Sequence, residues 1–313
     1  MLQYVIRRVI SIIPVMLVVA TFAFLLIHLA PGDPAAMMLG DMASVDDVER
    51  LREEMNLNEP ILVQFVTWLG KVVRGNLGTS IYSQKPVLSE LASRAQPTAI
   101  LSIASVLVAV IIGVPTGIIA AIKRGTRVDA VILSIAIFGA AIPGFWLGLV
   151  MIMYLGVNIS WLPTSGFQPL STGVWNCLKG LIMPAIALGF PHSALIIRVT
   201  RSAMLDVLNS DYVRTAKAKG LAGFIVITKH ALRNSLIPVL TVIGMSFATM
   251  VAGTAVTESV FSIPGMGRLV ITSVLRRDYP LLQGAILVIA AIYVVANLLV
   301  DLAYVLIDPR VKY

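Results

Sequence analysis

Long charge-free stretches alternate with short polar ones along the chain. No Asp, Glu, Lys or Arg occurs within residues 9–32, 95–122, 130–178, 180–197, 234–257 or 279–300. An α-helix rises 1.5 Å per residue, so about 20 apolar residues cross the hydrocarbon core of a bilayer. The third window is longer than one span needs, and its apolar part ends near Gly156, before the loop-like "NISWLPTSGFQPLSTG". The pattern predicts an all-α integral membrane protein with six transmembrane helices. Pro115 falls in span 2, the Pro143-Gly144 pair in the middle of span 3, and Pro184 and Pro191 in span 4. Each marks an expected helix break, because proline removes an amide donor and its ring crowds the carbonyl four residues earlier.

Between spans 1 and 2 the pattern changes to a soluble type. Ser44, three residues before Asp47, opens "SVDDVERLREEMNL" as a capping box, with Val48, Leu51 and Met55 on one helical face. A second helix is expected from Pro60, with Ile61, Phe65, Trp68 and Val72 along one stripe. The glycines of "RGNLGTS" interrupt the pattern, and a third short helix is read in "PVLSELASR". The expected organisation is an N-terminal tail and span 1 over residues 1–32, an external helical insert over 33–94, and a core of spans 2–6 over 95–313. The insert reads both as a lid on the external mouth of the bundle and as a docking surface for an external partner. Between spans 5 and 6, Pro264, Gly265 and Gly267 precede one or two expected helical turns, in a segment that either lies on the surface or dips into the bundle.

Composition agrees with the pattern: 58% of residues are apolar, 13% are charged, and the mean hydropathy is +0.91. With the N-terminus inside, residues 1–8, 123–129, 198–233 and 301–313 are cytoplasmic and hold 14 Lys and Arg against 5 acids. The remaining segments hold 10 against 11. The basic excess therefore fixes both termini in the cytoplasm and reports contact with anionic lipid, with no call for a nucleic-acid partner. Arg7 and Arg8 precede the first window as in a signal peptide, but the window exceeds the about 7–15 apolar residues of such a leader, so span 1 is read as retained.

Catalytic signatures are missing from the sequence. There is no G-x-x-x-x-G-K-[ST] phosphate cradle, H-E-x-x-H, C-x-x-C or G-x-S-x-G. A single cysteine, Cys177, and three dispersed histidines (His28, His192, His230) give no metal-ligating set. Asp301, one turn after Asn297, directly borders the last apolar window, with Arg310 and Lys312 close behind. One such carboxylate is a poor relay for an ion-coupled transporter, the main reading from another class, and a purely structural subunit is disfavoured by the broken spans.

The segment 200–233 stands out as a basic, amphipathic insert between spans 4 and 5. Ser210 is placed to cap a helix with Asp211 in its first turn and Lys217 and Lys219 in its last. Tyr212, Val213 and Ala216 share one face, and Gly220 suits the left-handed position that ends a helix. A second helix from about Leu221 carries Phe224, Ile225, Thr228 and Leu232 towards span 5. Two helices with a small tip make a knob suited to a socket in another protein, although a basic loop obeying the positive-inside rule accounts for the charge alone.

In these residues the chain resembles the permease subunits of bacterial ABC importers, whose cytoplasmic EAA signature has an acidic-Ala-Ala triplet, three residues, Gly, nine residues and Ile-x-Leu-Pro. Ala216 and Gly220 of "RTAKAKG" keep the spacing, with Arg214 and Thr215 in place of the acid and first alanine, and "HALR" follows nine residues after Gly220. Those departures are similar to the dipeptide, oligopeptide and nickel branch, "DYxRTAxAKG…HALRNxxIP". The likeness extends through "YVIRRVISIIPV", "HLAPGDP", "GNLGTS", "ASRAQPTAILS", "WLPTSGF", "ESVFSIPGMGRL", "RRDYPLLQG" and "VDLAYVLIDPRVKY". The "LAGF" after Gly220 is more apolar than the branch leads one to expect.

The resemblance implies half of a translocation path for peptide-like solutes. A homologous second permease would complete it, two ATPase subunits holding ATP and magnesium would drive it, and a periplasmic or lipid-anchored binding protein would deliver substrate. No cofactor is expected in this chain. Asp211, Tyr212, Thr215, Ala216, Lys217, Gly220 and Leu221 would form the coupling helix seated in an ATPase groove, and Pro264, Gly265 and Gly267 would belong to an external gate.

Overall fold

A computed structural model describes residues 2–29, 33–39, 44–54 and 56–307. The elements are α1 (Leu2–Leu29), α2 (Pro34–Leu39), α3 (Val45–Glu54), α4 (Ile61–Val73), α5 (Val87–Ile122), α6 (Arg127–Ala141) and α7 (Gly144–Met151), which widens into a π-helical stretch, Ile152–Asn158. A 3-10 turn, Leu170–Thr172, leads to α8 (Val174–Leu208), α9 (Asp211–Ala218) and α10 (Gly223–Ile225). A second π stretch, Val226–Leu232, runs into α11 (Arg233–Val260), followed by α12 (Met266–Leu275) and α13 (Tyr279–Ile307). Among the described residues five helices are long and apolar enough to cross a membrane, or six if α6 and the bent continuation through α7 count as one span. The family tail and Asp301, Arg310 and Lys312 lie outside the residues whose side chains are described, as does Met55.

Of the expected helix breaks, only Pro143-Gly144 is one: α6 and its continuation meet there at 94°. Ile142, which precedes the proline, is extended at φ −76° and ψ 123°, as the clash with a following proline ring requires. Pro115 lies inside α5, and Pro184 and Pro191 inside α8, without interrupting either helix. In α8 the reason is packing: it is the most buried of the candidate spans, and tertiary contacts there outweigh the lost hydrogen bonds. The two features also meet, because the carbonyl of Ala187, freed by Pro191 four residues later, sits where a Cβ on Gly144 would approach it to 2.7 Å. Only glycine lets the broken span come this close.

Two compact units emerge from the contacts. One comprises residues 97–263 and 295 onwards, the other residues 2–96 and 264–294. This division differs from the expected boundaries at 32 and 94, and it places the insert with α1 and the α12 segment. In the first unit, Leu101, Ala109, Cys177, Leu181, Met183, Ile196, Met250, Phe261 and Ile263 form a continuous core. Gly113 and Gly117 of α5 lie against Ile196 and Thr200 of α8, the small-residue contact by which membrane helices approach.

In the second unit, Phe24 of α1 packs edge-on to Phe65 and beside Trp68 of α4, and Gln64 meets His28 Nε2 at 2.9 Å. Phe65, Trp68 and Val72 of the expected α4 stripe thus pack, whereas Ile61 at its start is exposed. The capping box at Ser44 is present: Asp47 N–H donates to Ser44 Oγ at 3.2 Å, and that hydroxyl donates to the Asp47 carboxylate at 2.6 Å, holding its pKa below the usual carboxylate value. The expected third helix, "PVLSELASR", is no separate element but the opening of α5, since nothing between Val87 and Arg94 stops helical propagation into the apolar window. The segment after Gly265 forms the ten residues of α12, longer than the one or two turns expected, because Met266 and Leu269 are buried with Val87, Leu91 and Leu281.

Candidate coupling site

The polar segment after α8 folds into a compact knob. Val213 and Ala216, three residues apart on α9, turn inward and pack with Val226 against Val207 and Leu208 at the end of α8. Ala216 is only 7% exposed. Below the knob, Met204 and Ala231 are buried with Ala121 from the end of α5, and Ser235 Oγ donates to Met204 Sδ at 3.2 Å. Burial of these small and aliphatic side chains ties α9 to both flanking spans.

Gly220 ends the helix. It has φ +77°, and the N–H of Gly220 donates to the Lys217 carbonyl at 3.0 Å while that of Leu221 donates to the Ala216 carbonyl at 3.4 Å. This is the Schellman pattern, which needs a left-handed residue where glycine has no Cβ penalty. At the other end the expectation for Ser210 is met only in part. The residue occupies the cap position, yet its hydroxyl donates to the Val207 carbonyl at 2.6 Å and makes no side-chain cap. Backbone bonds from Val213 and Arg214 to the Ser210 carbonyl start the helix instead.

Tyr212 holds the knob to α11. Its Oη accepts from Asn234 Nδ2 at 2.7 Å and donates to the His230 carbonyl at 3.3 Å, and Asn234 donates to the same carbonyl at 3.1 Å. Asp211, Thr215 and Lys217 are exposed, and Asp211 lies 3.6 Å from Arg214 in an open pair that adds little. The apolar residues after Gly220 are also open to solvent: Leu221, Ile225 and above all Phe224, which is 76% exposed. The arrangement is a rigid stem with an apolar tip beside a left-handed glycine.

Several contributors escape a reading by spacing. Asn234 lies within "HALRNSLIP", but nothing in its position names Tyr212 as partner. Arg201 of α8 binds Asp129 through both carboxylate oxygens, at 2.7 and 2.8 Å, and Gly125 N–H donates to the same carboxylate at 3.0 Å. Glu258, fully buried near the end of α11, accepts from Thr98 Oγ1 at 2.6 Å. Pro264 and Gly265 precede α12 and Gly267 lies in its first turn, in the second unit. No group of three His, Cys, Asp or Glu among the described residues has the geometry of a metal site.

Comparison with known proteins gives consistent matches over the whole chain. Residues 113–313 match the family described as binding-protein-dependent transport system inner membrane component, and residues 1–104 its N-terminal membrane component. A probable peptide ABC transporter permease protein of Sinorhizobium fredii is 45% identical over 310 residues, covering 99% of both chains. A dipeptide transport system permease protein of Alkalihalophilus pseudofirmus is 41% identical, and a glutathione transport system permease protein of Escherichia coli 40%, each covering 100% of both chains. Among solved structures, an inward-facing form of the MetNI methionine ABC transporter aligns with a TM-score of 0.59 at 15% identity, covering 71% of this chain and 97% of that one. That likeness is one of fold.

Proposed function

Because the chain belongs to the binding-protein-dependent transport system inner membrane components, a family of bacterial inner-membrane ABC permeases that work with ATPase and substrate-binding subunits, we propose that it forms half of the translocation path of an importer for di- and oligopeptides. The names of the peptide, dipeptide and glutathione permeases to which it is similar favour that cargo, with glutathione or a nickel chelate as the nearest alternatives. ATP and magnesium reside on two partner ATPase subunits. A homologous permease completes the path, a binding protein delivers substrate from outside, and both termini of this chain face the cytoplasm.

The observation that carries the reading is the knob: an exposed apolar tip at Leu221, Phe224 and Ile225 on a stem buried between the ends of α8 and α11. Water-exposed apolar groups on a cytoplasmic loop are favourable only when another surface covers them. We assign them, with Asp211, Tyr212, Thr215, Lys217 and Gly220, to the groove of an ATPase subunit, and Ala216 to the stem that holds them in place. When the ATPases close on ATP, displacement of α9 passes to α8 through Val213 and Ala216 and to α11 through Tyr212 and Asn234, shifting the bundle between inward-open and outward-open states. Pro264, Gly265 and Gly267 belong to the external gate in the same scheme.

The test is uptake of a radiolabelled dipeptide by cells expressing the complete transporter. Uptake should stop when ATP is depleted with the proton gradient intact, and persist when the gradient alone is collapsed. The opposite dependence would identify an ion-coupled transporter instead.

A further inference from the structure

In the unit formed by residues 2–96 and 264–294 lies a cleft of about 410 Å³. It is built from "GNLGTS" with the turn that follows and from "RRDYPLLQG", two stretches to which coupling assigns no part. Asp278 forms its base. This carboxylate is buried and accepts from Ser80 Oγ at 2.5 Å and from the N–H groups of Ile81, Tyr82 and Leu281 at 3.3, 3.4 and 3.3 Å. Those donors satisfy it, pin the 80–82 turn and cap α13.

The walls are rich in donors. Arg268 and Thr272 of α12 and Arg276 at its C-cap follow one another at four-residue steps, facing a cleft also lined by Glu90 and Arg94 of α5. The Arg276 guanidinium lies 3.8 Å from the centre of the Tyr82 ring, which orients it without neutralising it. Among the described residues no carboxylate pairs with Arg94 or Arg276, and Ser83 Oγ, shielded from solvent in the cleft wall, has no hydrogen-bond partner. Guanidinium forks match a carboxylate with two parallel N–H···O bonds.

We propose that this cleft binds the C-terminal carboxylate of a small peptide between Arg94 and Arg276, with Glu90 taking the ammonium at the other end. Its volume is within the range of about 300–1,000 Å³ typical of small-ligand sites. The proposal rests on the peptide reading of the preceding subsection.

Saturation-transfer NMR on the chain in nanodiscs, purified with its co-purifying subunits, tests it with three probes: Ala-Ala, Ala-Ala amide and propionate. Ala-Ala should give a signal that weakens at least fivefold for the amide. The signal should vanish in Arg94→Gln and Arg276→Gln, and survive in part in Arg94→Lys, which keeps the charge without the fork. Unchanged thermal midpoints establish folding, and Arg94→Gln carries the test should Arg276→Gln unfold. Equal signals from acid and amide, or an Ala-Ala signal insensitive to both arginines, would overturn the site. Arginine-dependent binding of propionate without Ala-Ala would overturn its assignment to peptides and weigh against the peptide reading itself. Absence of every signal alongside intact dipeptide uptake would overturn the site and leave that reading standing.

Discussion

Asn234 Nδ2 donates a 2.7 Å hydrogen bond to Tyr212 Oη, joining the first turn of α9 to the first turn of α11. The two residues are 22 positions apart, and both also bond the His230 carbonyl. Tyr212→Phe removes the phenol oxygen from this triangle while keeping the ring. The net cost to stability should be small, about 0.5–1.5 kcal/mol for an exposed bond. Transport depends on the link itself, so dipeptide uptake should fall several-fold at unchanged membrane abundance, and Asn234→Ala should do the same without adding to it. Additive losses in the double variant would show that the two residues act independently.

Gly220 separates conformation from contact. A Cβ there would meet nothing within 4 Å in this chain, so the intrinsic cost of substitution is the left-handed backbone alone, about 1 kcal/mol for alanine. Gly220→Asn tolerates that backbone and should preserve the helix stop, whereas Gly220→Asp adds charge at the apolar tip. We expect Gly220→Asp to insert normally and lose uptake and substrate-stimulated ATP hydrolysis, with Gly220→Asn intermediate. Wild-type transport by Gly220→Asp would remove this glycine from the coupling surface.

Ala216 and Phe224 should fail in different ways. Ala216→Glu forces a carboxylate among Val207, Val213 and Val226, at a cost of several kcal/mol, roughly the penalty of an unpaired buried charge, and should lower the amount of folded protein seen by size-exclusion chromatography. Phe224→Ala removes a side chain that is largely in water, so abundance should hold while co-purification of the ATPase weakens. Lys217→Gln, on the exposed side, should change neither.

The Asp129–Arg201 pair predicts a stability defect. Asp129→Asn leaves the Arg201 guanidinium without its carboxylate, and because Arg201 is part-exposed the cost should fall below the about 3–5 kcal/mol of fully buried pairs. A lowered thermal midpoint in detergent should follow, partly restored in Asp129→Asn with Arg201→Gln. An unaltered midpoint would mean that solvent screens the pair.

The spans, the Ser44 capping box and the α9 boundaries were legible because they depend on neighbours in sequence. Charge-free length decides whether a helix can cross a bilayer, and the step from Ala216 to Gly220 sets where a helix turns left-handed, whatever surrounds them. Proline was the misleading signal. Local rules treat Pro115, Pro143, Pro184 and Pro191 alike, but α8 is the most buried of the candidate spans and stays helical through two of them, while the chain bends at Pro143, where Gly144 can press against the Ala187 carbonyl.

The sequence by itself determined which segments are long and apolar enough to cross a membrane, the family, and the knob between α8 and α11. Only the tertiary structure decided that Ala216 points into the stem while Phe224 points out, that Tyr212 is tied to Asn234, and that Asp278 joins a turn nearly 200 residues earlier to the start of α13. The division has a physical cause: apolar periodicity and backbone preference act within a few residues, whereas side-chain pairing and burial depend on which helices pack together.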